Sequence, residues 1–210
     1  MKPDKLTGDW FNEKPAEVEH SAFLPLFRRI DELRQAGQRI IVAIDGNSAA
    51  GKSSLAAMLQ SAYSCNVFPM DDFFLRPEQR TKSRLDSPGG NIDYERFTKE
   101  VLGPLKSGTP FCYQPYDCQT LQLAEPVTVS PGQISVVEGV YSMHPLFAGA
   151  YDVKVFLRLG EAEQRLRLSR RNSALYNRFI DEWIPMENKY FDYFKIYENC
   201  HFVFDVTMHD

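Results

Sequence analysis

The apolar run Ile40-Ile41-Val42-Ala43-Ile44 is followed, one residue later, by Gly46-Asn47-Ser48-Ala49-Ala50-Gly51-Lys52-Ser53, a match to the phosphate-binding spacing G-x-x-x-x-G-K-[ST]. A strand that delivers a glycine-rich loop to the start of a helix leaves little choice of architecture. The strand must be buried, and Gly46 and Gly51 let the backbone turn its N–H groups inward. The following helix then points its positive end at the same anion. Residues 46–54, through Ser54, are therefore expected to hold a nucleotide's phosphates, with Lys52 on the β and γ phosphates and the Ser53 hydroxyl on magnesium. Leu55, Met58, Leu59 and Ala62 follow at i, i+3, i+4, i+7, which predicts a helix over 51–63 with a face to bury.

A chain of 210 residues, 43% hydrophobic, can fill one sizeable core and is short for two. One domain over residues 1–210 is expected, with an N-terminal extension (1–21) that carries no motif and could be a disordered tail or a contact with a second copy of the chain, a homo-oligomer. The 24 basic and 28 acidic side chains give a net charge of −4, and no segment gathers lysine and arginine into a stripe. No nucleic-acid partner is therefore expected. No run is long and apolar enough to span a membrane, and residues 1–20 lack the apolar stretch of a signal peptide, so a cytoplasmic protein is expected. Cys65, Cys112, Cys118 and Cys200 show no C-x-x-C spacing, and His20, His144, His201 and His209 are scattered. They read as reduced thiols and ordinary histidines, with no zinc site.

Residues 22–35 carry Phe23, Leu26, Phe27, Ile30 and Leu33 at helical spacing and end at Gly37, a C-terminal stop. Short apolar runs recur at 66–70, 134–137, 153–159 and 202–206, separated by helical or loop-like stretches. Such alternation argues for an α/β fold with a mainly parallel sheet and helices on both faces, a three-layer α/β/α arrangement. The segment 76–90, with Pro77, Pro88, Gly89 and Gly90, is expected to be an exposed loop near the site.

Transfer of a phosphoryl group needs a metal, an acceptor hydroxyl, a carboxylate to take its proton and cations that follow the moving charge. The second apolar run ends in Met70-Asp71-Asp72-Phe73-Phe74, setting two carboxylates where open α/β sheets bind ligands. Glu138 closes the run Val136-Val137 and is placed to hold magnesium. Arg165, Arg167, Arg170, Arg171 and Arg178 gather on and after a helix predicted over 161–172. Arg167, Arg170 and Arg171 share a face, as a helical lid over residues 161–185 requires. Tyr190, Tyr193, Phe194 and Tyr197 read as a packed helix face.

In this order, the phosphate loop (a Walker A motif), Asp-Asp-Phe-Phe, Asn91-Ile92-Asp93, Pro115-Tyr116-Asp117, Val137-Glu138-Gly139 and the arginine helix resemble the uridine kinase family of P-loop small-molecule kinases, whose relatives include nicotinamide riboside kinases, pantothenate kinases and phosphoribulokinases. The resemblance runs from about Arg39 to the C-terminus and implies a P-loop NTPase fold and an enzyme using ATP and magnesium. Asp71 would be the base, assisted by Lys52 and by Arg170 or Arg171 from the lid. Asp93 would orient ribose hydroxyls, and Tyr116, Phe74 and Arg167 would complete the substrate contacts. Ser53 and Glu138 would bind the metal.

Departures fall where acceptor identity is decided. Tyr116-Asp117 is followed by Cys118, Gln119, Thr120 and Leu121, without the family's aromatic residue and histidine that read a pyrimidine edge, and Ile92 replaces a phenylalanine. The expected activity is phosphorylation of a small metabolite's hydroxyl, foremost the ribose 5′-hydroxyl of a nucleoside. The alternatives are a kinase of nicotinamide riboside, pantothenate or a sugar acid, and a regulatory P-loop protein that binds nucleotide without an acceptor.

Overall fold

The computed structural model describes residues 21–171 and 174–207. The N-terminal extension, apart from residue 21, lies outside the described residues, as do His20, His209 and Asn172.

Helix α1 (Leu24–Gln35) buries Leu26 and Ile30 completely and stops where Gly37 takes φ +72°. It leads into β1 (Ile40–Gly46), then the glycine loop and α2 (Lys52–Tyr63). In α2, Leu55 and Leu59 are buried, Met58 is half-buried and Ala62 faces solvent. β2 (Asn66–Pro69) passes into a 3₁₀ turn, Met70–Phe73. A further 3₁₀ turn (Pro77–Gln79) and α3 (Lys82–Asp86) precede a continuous helical stretch formed by α4 (Tyr94–Phe97), a π turn (Thr98–Leu102) and α5 (Gly103–Ser107). Two antiparallel pairs follow, β3 (Phe111–Tyr113) with β6 (Val127–Val129) and β4 (Tyr116–Asp117) with β5 (Gln122–Leu123). The chain then runs through β7 (Ile134–Glu138), α6 (Pro145–Ala148), β8 (Val153–Arg158) and α7 (Glu161–Arg171). A second long helical stretch joins α8 (Tyr176–Arg178), a π turn (Phe179–Trp183) and α9 (Ile184–Phe194), before β9 (Phe202–Asp205).

Both π turns lie just ahead of a proline, Pro104 and Pro185. A proline has no N–H for the helical ladder and crowds the carbonyl four residues back, and a wider turn absorbs both effects.

The central sheet is parallel throughout, in the order β2-β7-β1-β8-β9. All five apolar runs read from the sequence became its strands. The two small antiparallel pairs were not foreseen, because strands of two or three residues carry no periodic signal. Along β1, side chains alternate between faces. Ile40, Val42 and Ile44 join the core under α1 and α2, while Ile41 and Ala43 join the core beneath α4, α5 and α9. Ile40, Val42 and Ile44 are 0–1% exposed, and each contributes about 1.5–3 kcal/mol by leaving water.

Two expectations are corrected. The segment 76–90 is only partly an exposed loop: Thr81 caps α3, and Gly89 and Gly90 are buried, Gly89 against Tyr190 and His144. Arg84 anchors it, paired with Glu95 at 2.9 Å and lying over the Tyr94 ring at 4.4 Å. The aromatic face is also narrower than its spacing suggested. Glu187, Tyr190, Phe191 and Phe194 define the inward side of α9, which turns Tyr193 about a third of a turn away, leaving it 68% exposed. Tyr197 lies beyond the helix, which ends at Lys195 with φ +52°.

Among the described residues the four cysteines are free, no His/Cys/Asp/Glu group of three or more could hold a metal, and no helix is long and apolar enough to cross a membrane.

Candidate active site

The glycine loop sits at the C-terminal end of the central strand, with β7 on one side and β8 on the other. Gly46 has φ +140° and lies so close to β8 that a Cβ there would meet the Leu157 carbonyl oxygen at 2.2 Å. Gly51 has φ +90° and open space around it, so its constraint is the backbone turn alone. The N–H groups of Gly51, Lys52, Ser53 and Ser54, at the first turn of α2, are given to no acceptor among the described residues. Free N–H groups at a helix start are the kind of cradle that takes up an anion. Lys52 Nζ donates to the carbonyls of Gly46 and Asn47, each at 2.9 Å. It is thereby folded over the loop it would serve.

Three carboxylates gather beyond Lys52. The 3₁₀ turn after β2 carries Asp71 and Asp72, and β7 ends at Glu138, whose backbone pairs with Pro69. The two aspartates, equivalent in sequence, are separated by structure. Asp72 accepts the Tyr113 hydroxyl at 3.2 Å, and its carbonyl is taken by Arg96. Asp71 makes no hydrogen bond among the described residues, and solvent still reaches its side chain. The surrounding protein raises its carboxyl above the ordinary value by desolvation, with Lys52 and Arg171 opposing. Glu138, largely buried, is also raised, first by desolvation and then by repulsion from Asp71, again opposed by Lys52 and Arg171. Ser53 Oγ donates to Glu138 Oε1 at 3.1 Å. One hydroxyl and one carboxylate beside an anion cradle fit magnesium's habit of taking a few protein oxygens and completing its shell from phosphate and water.

Of the arginines on and after α7, Arg171 extends its charge to Asp71 and Glu138. Arg165 and Arg178 are paired with Glu161 and Glu182 one helical turn away, and Arg178 also lies over Trp183. Arg170 is exposed. Arg167 bonds Glu163 at 2.8 Å and the carbonyls of Ala49 and Val206, so it braces the loop from outside rather than facing the acids.

The segments 73–75 and 91–93 pair antiparallel through Phe74 and Ile92, bringing Asp93 beside the Asp71 turn. Asp93 is 3% exposed and its oxygens are already engaged, Oδ1 by the Arg96 N–H at 3.0 Å and Oδ2 by Gln79 Nε2 at 2.8 Å. Each oxygen can accept a second bond, but at 3% exposure an acceptor's hydroxyls reach them only if a covering side chain such as Gln79 moves. Phe74 is half-buried against the same core. Tyr116 is 4% exposed and its hydroxyl is buried without a hydrogen-bond partner among the described residues.

Sequence reasoning missed a second layer. Asp45, fully buried, accepts the N–H groups of Gly46 and Met143 and the Tyr190 hydroxyl. Burial pushes its carboxyl up to about 6, against those hydrogen bonds and Lys52. Glu187 and Gln164 grip Ser48, and Arg96 ties the Asp72 turn to Gln114. Only Asp45 carried a sequence signal, an acid closing an apolar run immediately before the loop.

No family model matches the chain, and no curated protein matches its sequence. Solved structures do. The chain is 22% identical to a possible uridine kinase from Bacillus stearothermophilus, with a TM-score of 0.60 over 87% of this chain and 100% of that one. It is 21% identical to a candidate fructose transport system kinase from Silicibacter sp., with a TM-score of 0.65 over 86% of this chain and 97% of the other. With its glycine loop on the central strand of a parallel sheet, the chain carries the P-loop NTPase α/β fold of these structures.

Proposed function

We propose that the chain is an ATP- and magnesium-dependent phosphotransferase that moves the γ-phosphoryl group onto a hydroxyl of a small metabolite. One observation carries this reading: Asp71, a carboxylate with no hydrogen bond among the described residues, stands within the field of Lys52, Glu138 and Arg171 beside the phosphate loop. A protein that uses nucleotide occupancy alone as a switch has no acceptor hydroxyl to deprotonate, and so no need of such a group.

In this mechanism the N–H groups at the start of α2 hold the phosphates, and Lys52 leaves the Gly46 and Asn47 carbonyls for phosphate oxygens. Ser53 and Glu138 would hold magnesium, whose charge would offset that of the phosphate oxygens. Asp71 accepts the proton of the acceptor hydroxyl, a task to which its raised affinity for protons is suited. Arg171 follows the charge that moves with the phosphoryl group. The residues around Asp71 keep the acceptor's remaining groups in place, with the unpartnered Tyr116 hydroxyl as a donor or acceptor to it.

A nucleoside is the favoured acceptor, as the resemblance to uridine kinases implies, and the reaction would be 5′-phosphorylation of its ribose. The name of the Silicibacter structure points to a sugar instead, and the burial of Asp93 beneath its own partners, which narrows access to the expected holder of the ribose diol, favours that second reading. ADP release from magnesium ATP should be measured with uridine, cytidine, nicotinamide riboside, pantothenate, fructose and other sugars, with Lys52→Ala as control. Stimulation by a riboside supports the first reading and by a free sugar the second. Nucleotide binding with no stimulation by any of them contradicts both.

A further inference from the structure

We propose that Glu187 is a positioning residue that sets the shape of the phosphate loop, with Gln164 as its counterpart on the opposite side. The inference rests on the phosphate-loop reading given under the proposed function.

Ser48, two residues into the loop, has every polar group fixed by a buried side chain. Its N–H donates to Glu187 Oε2 at 3.1 Å and its hydroxyl donates to Oε1. Its carbonyl accepts Gln164 Nε2 at 3.1 Å. Glu187 is 4% exposed and Gln164 2%, and they come from different helices, α9 and α7. The next residue, Ala49, has φ +64°, a conformation that a side chain disfavours, and its carbonyl is held by Arg167 at 3.4 Å. A non-glycine residue stays in that region only where its neighbours over-determine it. Pinning Ser48 on both sides does so, and it sends the Ser48 N–H away from the anion cradle while the N–H groups from Gly51 onward stay free for phosphate. Burial raises the Glu187 carboxyl above the usual carboxylate range, opposed by Lys52 and by its two hydrogen bonds from Ser48, with Asp45 adding to the rise, and Tyr141 senses it in turn.

The test compares Glu187→Leu, which removes both acceptors at similar volume, with Glu187→Gln, whose amide can still accept from the Ser48 N–H and donate to its hydroxyl. Affinity for a fluorescent ATP analogue, kcat, KM for ATP and Tm are measured for each. We expect Glu187→Leu to weaken analogue binding about 10-fold and to lower kcat about 100-fold through loop displacement, with Glu187→Gln recovering to within about 3-fold of the parent on both. Parental affinity and kcat in Glu187→Leu overturn the proposal, and so does equal impairment of the two variants, which would mark a general loss of the charge or fold. If Glu187→Leu does not fold, Gln164→Met, which removes the opposite contact, is expected to weaken analogue binding similarly, and parental binding in it overturns the proposal. The binding arm needs no acceptor. A parent that binds the analogue yet phosphorylates nothing contradicts the kinase reading while leaving the role of Glu187 to be decided by the variants' affinities.

Discussion

The two loop glycines make different demands, and their alanine variants separate close approach from backbone conformation. At Gly46 a Cβ would stand 2.2 Å from the Leu157 carbonyl oxygen, 2.8 Å from its nitrogen and 2.9 Å from its carbonyl carbon, with φ at +140°. The atoms it meets are backbone of β8, paired to β1 on the other side of the contact, so relief requires the two strands to part at the Gly46–Leu157 register. The unfavourable backbone region costs about 1–3 kcal/mol and the overlap about 1–3 kcal/mol more. Gly51→Ala meets nothing within 4 Å and carries only the left-handed backbone cost, about 1–2 kcal/mol. At about 2–4 °C per kcal/mol for a domain of this size, Gly46→Ala should lower Tm by about 4–24 °C and Gly51→Ala by about 2–8 °C. Thermal melts followed by circular dichroism, without nucleotide, measure both. A Gly46→Ala protein that melts within about 2 °C of the parent, or a larger loss at Gly51, would refute the claim that β8 is what excludes a side chain at Gly46.

Lys52→Ala should remove turnover, by at least about 100–1,000-fold, while the far-ultraviolet spectrum stays that of the parent; full activity in this variant would sink the assignment. Asp71→Asn should lower kcat by about 100–10,000-fold and leave ATP affinity unchanged, as single-turnover and binding measurements would show. Arg171→Ala should slow turnover, whereas Arg167→Ala should cost about 1.5–3 kcal/mol of stability through its lost bonds to Glu163 and two carbonyls, in denaturant titrations. Asp45 makes stability depend on pH in a definite sense. Its carboxyl is raised from 3.8 to about 6 by folding, so the folded state binds the proton more tightly. Its contribution is full below pH 3.8 and is lost as pH rises through about 6, by at most about 3 kcal/mol. Urea titrations across that window should show Asp45→Asn with a flatter profile than the parent.

What could be read in the sequence was what lies close together along it. The loop, its strand and its helix occupy consecutive residues, and their arrangement follows from spacing alone. Asp71 and Glu138 were found because each closes an apolar run, and strand ends converge in a parallel sheet. Local reading failed where partners are brought in by packing. Glu187 reaches Ser48 across 139 residues and Tyr190 reaches Asp45 across 145, and nothing near either helix position announces a loop-binding role. Arginine density was likewise a poor guide, because a helix rich in both charges satisfies itself: Arg165, Arg167 and Arg178 have glutamates at i−4 or i+4. Asp93 illustrates the converse. Its motif pointed to an acceptor, but the helix start at Tyr94 needs a cap, and the carboxylate supplies it.

Following the γ-phosphoryl group itself is the most direct test of the account. The protein would be incubated with γ-labelled ATP, magnesium and each candidate acceptor, and the products separated. The account predicts label in a phosphate monoester of one acceptor, formed only when acceptor is present and absent with Lys52→Ala. Label confined to inorganic phosphate, at a rate no acceptor changes, would contradict it and identify a nucleotide-hydrolysing P-loop protein in its place.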